Sequence, residues 1–168
     1  MPSVISNSSP LISLSAIQRL DLLRDFFGSV IVPPAVWREV VEEEQGRAGA
    51  AEVETAGTEG WIRIETFLND LLLRLLKRDL DDGEAEAITL AIETNAALIL
   101  LDETEARRIA DTYGLKKTGT VGILIRAKLA GKVDSLKDEL NRLRSEAGFR
   151  LEDGLYRQAL ISVGEIPS

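Results

Sequence analysis

The chain has 168 residues and neither cysteine nor histidine. The lack of cysteine rules out disulfides and zinc–thiolate sites, and it fits a reducing compartment. With no thiolate and no imidazole, a metal site in this chain would be built from oxygen donors. Those donors suit hard cations such as Mg²⁺ or Mn²⁺. No apolar run approaches the roughly 18 residues of a transmembrane helix. The opening Met1-Pro2-Ser3-Val4-Ile5 has no basic region and no cleavable signal pattern. A cytoplasmic protein with no membrane partner is expected. Internal repeats and low-complexity linkers are also missing.

The apolar fraction is 45%, ordinary for a globular protein. At this length one domain, residues 1–168, is expected to hold a core without covalent or metal staples. The net charge of −8 argues against a nucleic-acid partner at first. Its distribution argues less strongly. Residues 1–60 carry 4 Lys/Arg against 9 Asp/Glu, a balance of −5, and residues 106–150 carry 11 against 5, a balance of +6. The asymmetry permits a basic surface on an acidic protein, and solvated helix faces account for it equally well.

Short apolar runs alternate with amphipathic stretches. Residues 3–6 read as a strand. Ser9-Pro10 then opens a helix, with Ser9 suited to the N-cap and Pro10 to the first helical position. A helical run over 20–27 stops at Gly28. Val30-Ile31-Val32 reads as a strand, and Pro33-Pro34 starts a helix with Val36, Trp37, Val40 and Val41 on one stripe. Residues 45–60 form a loop or a weakly held helix, and 61–64 alternate like a strand. Residues 68–80 predict an apolar helix with leucine on more than one face, to be buried in the core rather than at a subunit contact. After a break at 81–83, a helix runs over 84–94. Residues 97–101 read as a buried parallel strand, 104–113 as a helix closed by Gly114, and 115–118 as a last strand. Helices are expected over 121–129, 136–146 and 151–163. The alternation predicts an α/β fold, a three-layer α/β/α sandwich around a mainly parallel sheet.

In such a sheet, residues just past the carboxyl ends of strands line the ligand crevice. Asn7 and the pair Asp102-Glu103 occupy such places. Glu84 begins the buried stripe of its helix, with Ala87, Ile88, Ala91 and Asn95 following at helical spacing. A carboxylate aligned with a core stripe is costly unless paired or metal-bound. Capping of the helix N-terminus explains the same acid equally well. Glu86 and Glu93 lie off the stripe and read as surface charges. Taken alone, Asp102 reads as an N-cap, Glu103 and Glu105 as first-turn acids, and Glu39 as a surface acid beside Glu42-Glu43-Glu44. Thr118-Gly119-Thr120 sits at another strand end, where hydroxyls and free N–H groups cap a helix or bind a phosphate. Together the acids say more: carboxylates gathered at one sheet edge repel each other, and that edge is stable only with a cation. Metal-assisted phosphodiester hydrolysis is the chemistry suited to such a site.

Five segments carry a resemblance: 5–12 (ISNSSPLI), 32–40 (VPPAVWREV), 82–88 (DGEAEAI), 100–108 (LLDETEARR) and 118–122 (TGTVG). In their order and spacing they are similar to the PIN-domain superfamily, the fold of the VapC toxin ribonucleases, and to a PIN-like branch of archaea and bacteria. The similarity runs from about residue 3 to 160. It implies Mg²⁺ or Mn²⁺ held by acids at four places, and cleavage of single-stranded RNA. Those places are Asn7, Glu39, Glu84, and Asp102 with Glu103. The family pattern has Asp where this chain has Asn7. Asn keeps a carbonyl oxygen but lacks the charge, which implies weaker metal binding.

On this resemblance the chain is expected to be a metal-dependent endoribonuclease, the toxin of a toxin–antitoxin pair, and a homodimer. Glu84 and Asp102 would be catalytic. Arg107, Arg108, Lys116, Lys117, Arg126 and Lys128, with Thr118 and Thr120, would meet the RNA. A second expectation is a catalytically silent PIN-like module that binds RNA or a protein. A third is a phosphatase or phospho-acceptor domain, against which Asn7 after the first strand argues.

Overall fold

A computed structural model describes residues 2–47 and 49–168. Met1 of the opening pentapeptide and Ala48 of the 45–60 stretch lie outside the described residues. Five strands form one all-parallel sheet in the order β3-β2-β1-β4-β5. They are β1 (Val4–Ser6), β2 (Val30–Val32), β3 (Ile62–Ile64), β4 (Leu98–Leu100) and β5 (Lys117–Thr118). The chain starts in the middle, builds outward through β2 and β3, then returns to the other side of β1 with β4. The β1/β4 seam, with Ile5 opposite Ile99, is therefore the point where the strand order reverses. Ligand crevices of open α/β sheets form at the carboxyl ends of strands beside such a seam.

Successive strand residues face opposite sides, and both sides are covered. Val4, Val30, Val32 and Leu100 pack into one core. Its covering helices are α1 (Ser8–Ala16), α2 (Asp21–Phe27), α4 (Ala50–Glu59), α8 (Thr120–Leu129), α9 (Leu136–Glu146) and α10 (Asp153–Ser162). Ile5, Ile31, Ile99 and Leu101 pack into the other, under α5 (Asp70–Leu76), α6 (Asp82–Glu93) and α7 (Thr104–Thr112). Burial on both faces is why β2 and β4 read as unbroken apolar runs, whereas the edge strand β3 leaves Arg63 and Ile64 exposed. The three-layer sandwich expected from the sequence is the observed fold. Within the 45–60 stretch, residues 50–59 form α4.

Four local expectations change. The first helix starts at Ser8, with Asn7 in the cap position and no side-chain cap. Ser9 is thus inside the first turn, and its hydroxyl is free to reach elsewhere. The apolar 68–80 stretch gives a helix only over Asp70–Leu76, capped by Asn69. It is not buried: Leu68 is 87% exposed, Leu71 69% and Leu75 50%. Leu76 and Leu80 are buried in the core, and Leu72 and Leu73 pack partly against it. Glu86 is not a surface charge but buried, and its carboxylate accepts the backbone N–H of Ala35 at 2.9 Å. Glu93 is exposed, yet both its oxygens accept the N–H of Leu68 at 2.9 Å.

The Glu86 bond fixes how two helices meet. Pro33-Pro34 open a four-residue helix, α3 (Pro34–Trp37), whose first free N–H groups have no partner within the helix. Glu86 supplies one from α6, and α3 packs against α6. The chain then widens into a π-helical turn, Arg38–Glu42, closed by Glu43 N–H to Arg38 C=O at 2.8 Å. The extra residue in this turn lets Val40 and Val41 stay buried while Glu39 turns toward the α6 N-terminus. π-Turns of this kind recur at functional sites.

Glu86→Ala would strand the buried Ala35 N–H, at a cost of about 1–3 kcal/mol. A lower urea midpoint is expected, with Glu86→Gln, which keeps an acceptor oxygen, losing less. Equal stability of Glu86→Ala and the native protein would show that this bond is not the link between α6 and α3.

Candidate functional site

Asn7 leaves β1 and Asp102 leaves β4, side by side across the β1/β4 seam; the Asn7 N–H donates to Leu100 C=O at 3.0 Å. Above them opens a cleft of about 760 Å³. Its walls carry Asn7, Glu39, Glu84, Asp102 and Glu103, so all five metal-site candidates of the sequence meet in one place. Asp81 and Glu105 join them, with Ser8, Ser9 and the 147–150 segment.

Each inner acid is held by a local donor. The Ser8 hydroxyl donates to Glu39 Oε2 at 2.5 Å. Gly83 makes room for that carboxylate, since a Cβ there would stand 2.8 Å from Glu39 Oε2. Glu84 closes a capping box at the start of α6: the Asp81 N–H donates to Glu84 Oε1 at 3.2 Å, and the Glu84 N–H to Asp81 Oδ1 at 2.8 Å. The helix-cap and cleft-lining readings of Glu84 are therefore both met by one geometry.

Asp102 does not cap its own helix, whose N-cap is Glu103. It reaches across to α8 instead. Thr120 donates its backbone N–H to Asp102 Oδ1 at 2.7 Å and its hydroxyl to Asp102 Oδ2 at 2.7 Å. Ser9 adds its hydroxyl to Oδ2 at 3.0 Å. Gly119 keeps this approach open, because a Cβ there would lie 2.7 Å from Asp102 Oδ1.

The electrostatic cost of the cluster falls on Glu84 and Glu39. Burial, then the nearby negative charges of Asp81 and Glu103, push the Glu84 carboxyl up to about 7. Burial likewise raises Glu39, with Asp81 and Glu43 adding to it, while the Ser8 hydroxyl and the Gly83 backbone work the other way. Asn7 is buried, and its Oδ1 has no hydrogen-bond partner. A buried acceptor without a donor needs an explanation, and a cation bound there is one. The donor set is all oxygen and carries raised carboxyls beside an orphaned carbonyl, so its chemistry fits a hard divalent cation. Among the described residues, however, no three acids already stand together as a ligand cluster. Glu39, Glu84 and Asp102 each accept a hydrogen bond from a different local donor.

The other candidates separate. Thr120 acts through Asp102. Thr118 packs against Gly122 and does not line the cleft. Arg107 donates to Leu101 C=O at 2.8 Å, Arg108 pairs with Glu105, and Lys117 pairs with Asp111. Lys128 pairs with Glu165. Arg126 lies over Phe26 and Phe27, with its guanidinium carbon 4.3 and 5.4 Å from the ring centroids. It borders a different cavity, at the amino ends of β1 and β4. Lys116 precedes β5 and sits at that same amino end. None of these six bases lines the acidic cleft. Sequence reasoning overlooks Ser8, Ser9 and Asp81, although the Ser8-Ser9 pair directly after a strand end is a visible signal.

A family model described as a PIN domain matches residues 3–165. The chain is a PIN domain. No curated protein matches it. The PIN fold is a nuclease-type fold, and PIN domains generally use divalent metals. Among the described residues no helix is long and apolar enough to cross a membrane.

A carboxyl whose folded pKa stands above its unfolded value binds its proton more tightly in the folded state. Glu84 therefore favours folding below about pH 4.5, loses that contribution as pH rises toward 7, and carries the full cost of its buried charge above 7. In EDTA, the melting midpoint of the native protein relative to Glu84→Gln should drop between pH 5 and pH 8 by roughly 2–6 °C. A difference that does not change with pH would mean that Glu84 titrates as an exposed acid.

Proposed function

We propose that this PIN domain is a metal-dependent endoribonuclease acting on single-stranded RNA, with the cleft at the β1/β4 seam as its active site. The observation that carries this reading is that Glu39, Glu84, Asp102 and Glu103 line one cleft together with Asn7, whose buried Oδ1 has no hydrogen-bond partner. Those five residues would hold Mg²⁺ or Mn²⁺. When bound, the cation polarises a phosphoryl oxygen and stabilises the charge that builds up on it. Asp102 is kept in one orientation by Thr120 and Ser9, so no rotamer search is needed at the moment of reaction. Glu84, whose carboxyl is pushed up by burial in the cleft, would give up its proton on taking its place beside the cation, which favours the charged form. As finer parts of this reading, the protein would be the toxin of a toxin–antitoxin pair and a homodimer, for which the exposed leucines of α5 offer apolar surface.

Asn7 favours a second reading, a PIN module that binds RNA or a protein without cutting. An amide in place of an acid removes one full charge from the cation's surroundings.

Cleavage of a mixed-sequence single-stranded RNA in Mn²⁺, Mg²⁺ or EDTA separates the two. Metal-dependent cutting is expected, abolished in Asp102→Asn with the fold intact. In Thr120→Val, which removes a hydroxyl that orients Asp102, cutting should drop by about 10–100-fold. Cutting that survives Asp102→Asn would sink the active-site assignment. A native protein that is inert while Asn7→Asp cuts would establish the second reading.

A further inference from the structure

The acidic cleft has one wall that the metal chemistry leaves unused. It is the 147–150 segment, which joins α9 to α10 and contributes Phe149 and Arg150 to the lining. Arg150 is the only cation among the lining residues. It is exposed and has no ion pair or hydrogen bond among the described residues. This differs from the bases at the carboxyl end of the sheet, where Arg107 and Arg108 are engaged within their own neighbourhoods.

The segment is also built to stay in place. Gly148, at φ +63°, takes the left-handed conformation that ends α9. The Phe149 N–H returns to Leu143 C=O at 3.0 Å. On the far side, the Arg144 guanidinium donates to Leu151 C=O at 2.6 Å, and the Leu151 side chain is buried. Phe149 is half-buried against the core, so one part of its ring is fixed and the rest borders the cleft. A polyanion entering a cleft of like charge needs a positive group at the rim. A single strand also needs a surface on which an unpaired base can stack.

We propose that Arg150 and Phe149 form the RNA-holding wall of this cleft, Arg150 taking a backbone phosphate and Phe149 stacking one base of a single strand. The proposal rests on the nuclease reading for its substrate class, but not for its test. Arg150 and Phe149 bind and position; they take no part in bond breaking.

The test uses the full chain and a labelled ten-nucleotide single-stranded RNA. Binding is read by fluorescence anisotropy in EDTA and in Ca²⁺ across a salt series, and cleavage kinetics are read in Mn²⁺. Arg150→Ala should raise Kd by about tenfold or more and lower the salt slope by roughly 0.7, the share of one single-strand phosphate. It should raise KM while kcat stays within about twofold. Arg150→Lys should restore most of the salt slope. Phe149→Leu, which keeps the packing and removes the aromatic face, should raise Kd by at least about fivefold without changing the slope. Lys116→Ala, at the opposite end of the sheet, serves as the control and should bind as the native protein does. A role of Arg150 confined to stability would move the melting midpoint and leave the salt slope unchanged.

If the native protein binds and cuts, and Arg150→Ala and Phe149→Leu do both equally well, the wall is overturned and the nuclease stands. If the native protein binds through these two residues but never cuts, the wall stands and the nuclease falls. If it binds no single-stranded RNA under either condition, both fall.

Discussion

Asp102 ties three elements together at the point where the sheet reverses its strand order. It leaves the buried strand β4, accepts both donors of Thr120 at the start of α8, and accepts the Ser9 hydroxyl in the first turn of α1. The Thr120 N–H is one of the first-turn donors that a helix cannot satisfy internally, so the bond completes α8 as much as it orients Asp102. Charge-assisted bonds of this kind are among the stronger ones in proteins. Glu39 depends on a similar chain of support: Glu86 caps α3, α3 leads into the π-turn, and the π-turn aims Glu39 at Gly83 and Ser8. The cleft is thus assembled by helix ends, each lending a backbone or hydroxyl donor to a neighbour's acid.

The arrangement explains how several carboxylates share one cleft. Burial raises a carboxyl's pKa and neighbouring like charges add to it, and the shift of Glu84 is the visible result. Local donors lower that cost acid by acid, without bringing the acids to a common centre. A cation would do the same collectively, by replacing several local bonds with one shared partner. The two solutions compete for the same oxygens. Occupancy by a metal would therefore have to loosen bonds such as Ser8 to Glu39.

Much of this architecture is readable in the residues. The apolar runs at Val30–Val32 and Leu98–Leu100 reveal their strands because burial on both faces leaves no polar alternation to confuse the period. The strand-end positions of Asn7 and Asp102 reveal the cleft, since parallel strands bring their carboxyl ends to one edge. Other features stay hidden. Glu86 looks like a surface charge because its partner, the Ala35 N–H, is 51 residues away, and no local period encodes that. Leu68, Leu71 and Leu75 are expected inside because composition reports apolarity without reporting how much of the core other helices have already filled. Arg150 stands among 11 bases with nothing to distinguish it, since exclusion from the cleft depends on which sheet end a base reaches.

The fate of those bases also resolves the charge asymmetry. The excess of bases over residues 106–150 does not form one basic face. Parallel strands place Lys116 at the amino end of β5 and the acids at the carboxyl ends of β1 and β4, so sequence neighbours are sent to opposite ends of the molecule. Arg126 follows Lys116 to the amino end, while Arg108 and Lys117 are neutralised by acids three and six residues away. Attraction of a polyanion to the cleft, on the proposed reading, would then fall to few groups at short range rather than to a broad field. Asn7 acts in the same direction. At a buried position of the site, where a charge would be poorly screened, an amide spares the cleft one more repulsion and keeps a carbonyl oxygen without a hydrogen-bond partner. The same substitution lowers the charge available to a divalent cation, so cleft stability without metal and affinity for metal are set against each other at this one residue.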